Sequence, residues 1–410
     1  MSKYFDALET RSADERKSAL ATRLPQQIAH AKANTAYFAG SLKHVDAAAV
    51  TSTAALAALP VVRKSELIEL QRQQRPFGGL AASHWGRLGR VFSSPGPIYE
   101  PEGRSADYWR TARALHAAGF RAGELVHNSF SYHMTPGAWM LEAGAHALGC
   151  TVFPAGVGQT EQQVAAMADL LPNGYVGTPS FLRILLEKAD ELGIELPSLT
   201  KALVSGEAFL PPVRDALLAR GIAGFQAYAT AELGVIAYET EAREGLVVDE
   251  GVIVEIVRAG TGDPVPVGEV GEVVVTTFNA DYPLIRFGTG DLSALLPGIS
   301  PCGRTNMRIK GWMGRADQTT KVKGMFVHPE QIAAVVKRHP EIARARLVVT
   351  NPDSNDVMTL RCEGVASGGL AAAIGETVRD VTKLRGVVEM VAAGSLPNDG
   401  KVIADERKYD

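Results

Sequence analysis

The stretch DYPLIRFGTGDLSALLPG (281–298), followed after a polar connector by RIKGWMGRADQTTKVKGMFVHPEQI (308–332), decides how this chain reads. It places Gly288, Gly290 and Asp291 in what reads as a glycine-rich turn, then a second charged turn, Gly314-Arg315-Ala316-Asp317. Glycine allows backbone shapes open to few other residues. The Asp291 carboxylate offers acceptors for two hydroxyl groups, as a ribose presents. Arg315 adds a planar fork of donors that keeps its charge. One acid and one base on neighbouring turns suit the sugar and phosphate of a nucleotide. Alone, such Gly-Asp and Gly-Arg pairs are mostly ordinary surface turns.

Outside that stretch, composition sets the bounds. At 410 residues the chain exceeds one ordinary core and is expected to divide into at least two units. A 46% hydrophobic, 21% charged make-up belongs to soluble globular proteins. A net charge of −3 gives no hint of an electrostatic surface for nucleic acid or acidic membranes. The N-terminal MSKYFDALETRSADERKSAL lacks a signal-peptide core, and no apolar run is long enough to span a bilayer. Cys150, Cys302 and Cys362 are scattered and odd in number, which indicates neither a disulfide framework nor a zinc cage. The expectation is a cytoplasmic protein with no nucleic-acid or membrane partner; a homodimer stays open.

Residues 1–80 read as helical and peripheral, with LPVVRKSEL (59–67) opening a short helix near Ser65. In RVFSSPGPIYEPEG (90–103), Ser93, Ser94 and Gly96 follow an apolar stretch where backbone amides could hold phosphate. Residues 104–200 alternate helical and strand-like segments, beginning with SADYWRTARALHAAGF as an amphipathic helix. That rhythm points to βαβ units and a largely parallel sheet, with ligand loops at the strand ends. Phe130, Tyr132 and Trp139 sit in one such loop region and read equally as pocket or core. Residues 246–278 have period-two, β-branched patterning with Gly, Pro and Asp turns, as antiparallel strands do. After Asp317 helix and strand alternate again in a small α+β unit.

YPLIRFGTGDL (282–292) resembles the YRTGDL motif of adenylate-forming acyl-CoA ligases. Residues 302–332 resemble the segment where the phenylacetate–CoA ligase branch of that superfamily passes into its small C-terminal domain. Three further blocks stand in the same order: SGEA (205–208), YATAE (228–232) and LPNDGK (396–401). LPVVRKSEL is similar to the LP-x-x-x-K-x-x-L lead-in of these ligases. The SSPGPIYEP loop departs from their SSGTTGKP pattern and has no lysine, which puts pyrophosphate handling in doubt more than nucleotide binding.

The resemblance implies an α/β fold. A large domain (1–316) has mainly parallel sheets flanked by helices, with a helical part over 1–80 and a β-subdomain at about 245–300. A small mobile α+β domain (317–410) follows. It implies an ATP-dependent, AMP-forming ligase that joins a small carboxylic acid, aryl or arylacetic, to coenzyme A through an acyl-adenylate. Ser93, Ser94 and Gly96 stand at its phosphate loop; Ser205, Gly206, Glu207 and Tyr228 at adenine; Asp291 and Arg315 at ribose and phosphate. Thr230 bonds phosphate, Glu232 holds Mg²⁺, and Lys401 is the catalytic lysine. Tyr132 and Gly137 border the acyl group, Asp317 is the hinge, and Lys323-Gly324 serves thiolysis. Competing readings are an enzyme passing the acyl group to an amine or carrier protein, and a non-catalytic binding protein with a degenerate phosphate loop.

Overall fold

A computed structural model describes residues 2–316, 318, 320–322, 325–352, 356–365 and 368–407. The chain divides into two compact units: Met1–Val254, Val275–Phe287 and Leu296–Trp312, and then Glu255–Val274, Gly288–Leu295 and Met313–Asp410. No described helix is long and apolar enough to cross a membrane.

The first unit opens with helices α1 (Ala13–Asn34), α2 (Ala36–Ser41) and α3 (Thr53–Ala57). Ser12 starts α1 through a capping box with Glu15, which satisfies amide groups the helix leaves open. Leu24, Ile28 and Ala31 recur at helical spacing and are buried. This N-terminal part is less peripheral than its composition suggests. Glu9 is buried and accepts hydrogen bonds from Arg304 Nε (2.6 Å), Tyr238 Oη (2.8 Å) and the Phe5 amide (2.5 Å). Strand β1 (Val62–Arg63) leads into α4 (Leu67–Gln73), and the hairpin β2 (Arg90–Ser94) and β3 (Ile98–Glu102) follows.

Alternating segments then build a sheet: α5 (Thr111–Ala117), β4 (Leu125–Asn128), α6 (Gly137–Leu148), β5 (Thr151–Pro154) and α7 (Thr160–Leu170). Next come β6 (Gly174–Gly177), α8 (Pro179–Leu192), β7 (Lys201–Val204), α9 (Pro211–Ala219) and β8 (Ala223–Thr230). Strands β5, β4, β6, β7 and β8 lie side by side and parallel. Side chains alternate between the faces. Val126, Val176 and Leu203 join Trp109, Leu115, Phe120 and Met140 in one core, while Tyr175, Ala202 and Val204 join Leu182, Leu185 and Leu217 in another. Both faces are covered, as parallel sheets require. Helix α5 spans seven residues and is buried from Thr111 to His116, whereas the sequence suggests a longer amphipathic helix. Arg113 inside it is paired with Asp249 (2.7 Å) and Asp6 (2.5 Å), so its charge marks an internal ion pair and no solvent face.

The sheet continues antiparallel through β9 (Gly234–Glu239) and β10 (Leu246–Val248). The β-rich part adds β11 (Val252–Val257), β12 (Val270–Thr277) and β13 (Phe287–Leu296), and β14 (Arg308–Ile309) pairs with β10. Here the opening motif is corrected. Gly288, Gly290 and Asp291 lie within a strand of ten residues, and Asp291 and Arg315 face one another in an antiparallel bridge. The two charged groups share paired extended segments, and Gly290 beside them takes a positive φ of 73°.

The second unit carries the hairpin β15 (Thr320–Val322) and β16 (Met325–Val327), then α10 (Pro329–Arg338), β17 (Arg344–Thr350) and β18 (Val357–Glu363). Helix α11 (Leu370–Thr382), β19 (Val387–Val391) and β20 (Ile403–Asp405) complete it. The sheet order is β19-β18-β17-β20. Ile332 and Val335 of α10 and Leu370, Ile374 and Val378 of α11 cover Leu347, Val349 and Leu360 of the sheet.

Candidate active site

Loops at the carboxyl ends of β7 and β8 gather several expected residues of the first unit. Ser205 Oγ donates to the Ala227 carbonyl (2.8 Å), fixing the end of β7 against β8. Gly206 follows with a φ of 85°, and Glu207 accepts the Ser180 amide (2.6 Å) at the start of α8. Tyr228 is buried at a β-bulge. Thr230 Oγ1 accepts the Leu233 amide (3.3 Å), closing the turn that carries Glu232. Gly234 ends that turn with a φ of 72°, and a Cβ there would lie 2.6 Å from the Trp109 carbonyl oxygen. The turn is therefore seated on Trp109, whose carbonyl also accepts the Val235 amide (3.0 Å).

The Glu232 side chain is fully buried. Lys64 Nζ lies 2.8 Å from its Oε1 as an ion pair, yet among the described residues neither carboxylate oxygen has a partner in hydrogen-bond geometry. The Tyr282 hydroxyl, also buried, has no hydrogen-bond partner among them either. Burial, and after it the charges of Glu232 and Glu100, hold the Tyr282 phenol well above its usual range. Glu100 completes the group. Burial, reinforced by Glu232, pushes its carboxyl up to about 8, against the opposing hydrogen bond from Ser94 and the charge of Lys64.

The expected phosphate loop is a tight hairpin turn. Ser94 pairs in register with Ile98, and the Ser94 hydroxyl donates to Glu100 while its amide donates to the same carboxylate (3.3 Å). The Ser93 amide donates to the Met134 carbonyl (2.9 Å), and Gly96 stands in the turn. Gln71 clamps Tyr99 of β3 from α4 through two bonds of 2.8 and 2.9 Å.

Tyr132 is held from both ends. Its hydroxyl donates to Glu142 (2.7 Å) and accepts from Asn128 (3.0 Å), and its ring meets Trp139 edge-on at 5.2 Å. Gly137 is the first residue of α6, and a Cβ there would rest 3.5 Å from the Phe130 ring. Phe130 thus lies between Gly137 and Gly206, 3.6 Å from where a Cβ of the latter would stand.

Asp291, Arg315 and Lys401 belong to the second unit. Arg315 Nη1 donates to Asp291 Oδ1 (2.9 Å) and keeps half of its side chain exposed. Such a pair contributes about 0–1 kcal/mol to stability. Lys401 is exposed and lines a cavity of about 670 Å³ with Arg258, Glu269, Glu330, Lys337 and Arg344. Its amide donates to Asp399 (3.0 Å). Asp317, Lys323 and Gly324 lie outside the described residues.

Whether Glu232 suits Mg²⁺ can be judged from its donors. Among the described residues no cluster of three or more His, Cys, Asp or Glu could cage a metal ion. A buried carboxylate with orphaned oxygens fits instead a magnesium ion that shares its shell with substrate phosphates and water. Sequence reasoning began a helix at Ser65 and did not bring in Lys64, Glu100 or Tyr282. Lys64 was visible in the LP-x-x-x-K-x-x-L pattern. Glu100 carried no signal, because only the β2–β3 pairing turns it inward.

Comparison with known proteins follows the same outline. The family model for AMP-binding enzymes matches residues 108–279. The phenylacetate–coenzyme A ligase of Aromatoleum evansii is 31% identical over 377 residues, covering 88% of this chain and 84% of the relative. That of Pseudomonas putida is 30% identical over 427 residues, covering 97% and 95%. A solved structure of 2-hydroxyisobutyryl-CoA ligase, in an open conformation with 2-HIB-AMP and CoA, superposes with a TM-score of 0.74. It is 27% identical, with 97% of this chain and 92% of that one covered.

Proposed function

From the premise that the chain belongs to the phenylacetate–coenzyme A ligases, AMP-forming acid–thiol ligases of the AMP-binding superfamily, we propose that it activates a small aryl or arylacetic acid. In the first step the acid's carboxylate attacks the α-phosphate of ATP, forming an acyl-adenylate and releasing pyrophosphate. In the second, the coenzyme A thiol attacks the acyl carbonyl, the thioester forms, and AMP leaves. Hydroxide is a poor leaving group at neutral pH; AMP takes its place. The protein's share is positioning and charge stabilisation.

The observation that carries this reading is the buried Glu232, ion-paired with Lys64 but with neither oxygen in a hydrogen bond among the described residues, on the turn after Tyr228 and Thr230. Glu232 would hold Mg²⁺, which supplies charge neutralisation to the phosphates when bound. Tyr228 offers a ring to adenine and Thr230 a hydroxyl to phosphate. Ser93, Ser94 and Gly96 border the β- and γ-phosphates, with Ser205, Gly206 and Glu207 beside the base. Asp291 receives the ribose hydroxyls and Arg315 faces phosphate. Lys401 compensates the negative charge that gathers between carboxylate and α-phosphate. Phe130, Tyr132 and Gly137 border the acyl group. Asp317 and Lys323-Gly324 serve the passage to thiolysis. The test is Glu232→Gln: MgATP binding by calorimetry is expected to weaken at least tenfold while AMP binding is kept. Unchanged MgATP affinity would remove Glu232 from the role.

A further inference from the structure

We propose that Lys64 is the resident counter-ion of Glu232 and yields that carboxylate to the divalent cation arriving with the nucleotide. A fully buried carboxylate is costly to hold without a counter-charge. Lys64 supplies one at 2.8 Å, although the pair lacks hydrogen-bond geometry and leaves both Glu232 oxygens with unused acceptor capacity. The Glu232 side chain is closed off from solvent, while that of Lys64 remains 27% exposed. The ammonium therefore has a way out that the carboxylate does not. A lysine on a flexible stem suits such an exchange better than an arginine fork, which would bind the carboxylate bidentately.

The backbone that presents Lys64 is anchored. The Val62 amide donates to the Arg286 carbonyl (3.1 Å). The Arg286 guanidinium, almost fully buried, donates to the carbonyls of Ala57 (2.7 Å) and Leu59. Arg286 thus acts as a positioning residue for the segment ending at Lys64. Lys64 also acts on Glu100, the carboxyl group that holds Ser94 at the hairpin turn. A released ammonium would stand beside a loop, SSPGPIYEP, that has no lysine of its own.

The inference rests on Glu232 as the metal ligand, and the tests separate the two. Mn²⁺, standing in for Mg²⁺, is titrated into the full chain without nucleotide, and free Mn²⁺ is read by electron paramagnetic resonance. Lys64→Met is expected to bind one Mn²⁺ at least tenfold more tightly than the unaltered protein, and Lys64→Met/Glu232→Gln to lose that gain. In chelator, Lys64→Met should melt below the unaltered protein and recover on adding Mn²⁺. Equal Mn²⁺ affinity with and without Lys64, or a gain that survives Glu232→Gln, overturns the proposal. A second measurement needs no variant. Saturating Mn²⁺ should raise the rate at which acetic anhydride labels Lys64 severalfold, read by mass spectrometry; unchanged labelling overturns it. Undiminished MnATP binding by Glu232→Gln would instead remove the metal ligand, and the exchange with it.

Discussion

A carboxyl group folded away from water favours its neutral form, and Glu100 is buried with Glu232 nearby, so its proton is held up to about 8. An unfolded chain releases that proton near 4.5. Between those values the folded chain keeps a proton the unfolded one has lost, so stability falls as pH rises through the window. Above it the stabilisation from the neutral form is gone. Glu100→Gln, which stays neutral, should therefore melt with a shallower pH slope than the unaltered protein in metal-free buffer from pH 6 to 9. Parallel slopes would show that Glu100 does not titrate there. Lys401 makes the complementary case at the surface. Lys401→Ala should leave the melting temperature unchanged and lower pyrophosphate release by about 10²–10³-fold, the usual scale for losing one charge-stabilising group. Unchanged release with the true acid would sink its role. The Gly-Lys context marked Lys401 as a candidate in the sequence, whereas Glu100 reads there as an ordinary polar residue.

Single elements decide where these groups stand. The β8–β9 turn holds Glu232 in place only because Gly234 brings its backbone against Trp109. Gly234→Ala must shift that turn and adopt a φ of 72°, at about 1–3 kcal/mol for the strained backbone alone. Thermal melting should show that loss, and calorimetry should show weakened MgATP binding alongside it. Wild-type nucleotide affinity would mean that the turn tolerates the shift. In the loop before α6, Tyr132→Ala strips the partner of Glu142 and the edge contact with Trp139. It is expected to change acid preference more than the KM for ATP; equal effects on both would argue against an acyl-side role. The βαβ rhythm from β4 to β8 was legible because short apolar strands and amphipathic helices alternate. The DYPLIRFGTGDL segment misled as a turn, because its glycines serve a strand that must pass beside the Arg315 guanidinium. A Cβ on Gly290 would stand 2.9 Å from Arg315 Nη2.

Long-range pairing joins sequence extremes within the first unit in a way no local pattern shows. Glu9 and Arg304, both almost wholly buried, are 295 positions apart and bonded at 2.6 Å. Glu9→Ala would leave the buried Arg304 guanidinium with the half-exposed Glu241 at 3.7 Å as its remaining acidic partner, at a cost of about 3 kcal/mol, and should lower the melting temperature by several degrees. A change of less than a degree would show that the guanidinium finds water or another acceptor. The composition of residues 1–10 hides this role, since a charged N-terminal segment reads as solvated until its partner is known. The α/β class and the ordered blocks from SGEA to LPNDGK were readable, because each block keeps most of its residue types at fixed spacing, whereas SSPGP departs from its pattern. The surroundings of Glu232 were not readable, because Lys64, Glu100 and Tyr282 are far apart in sequence. All these residues bear on one claim, that the protein activates a small aryl or arylacetic acid as its adenylate and passes it to coenzyme A. The most direct test is pyrophosphate release from MgATP against a panel of aryl, arylacetic and hydroxy acids, with and without coenzyme A, with thioester measured in parallel. The account expects release that depends on an aryl or arylacetic acid, with thioester formed only when coenzyme A is present. No release with any acid, alongside measurable ATP or AMP binding, would contradict it.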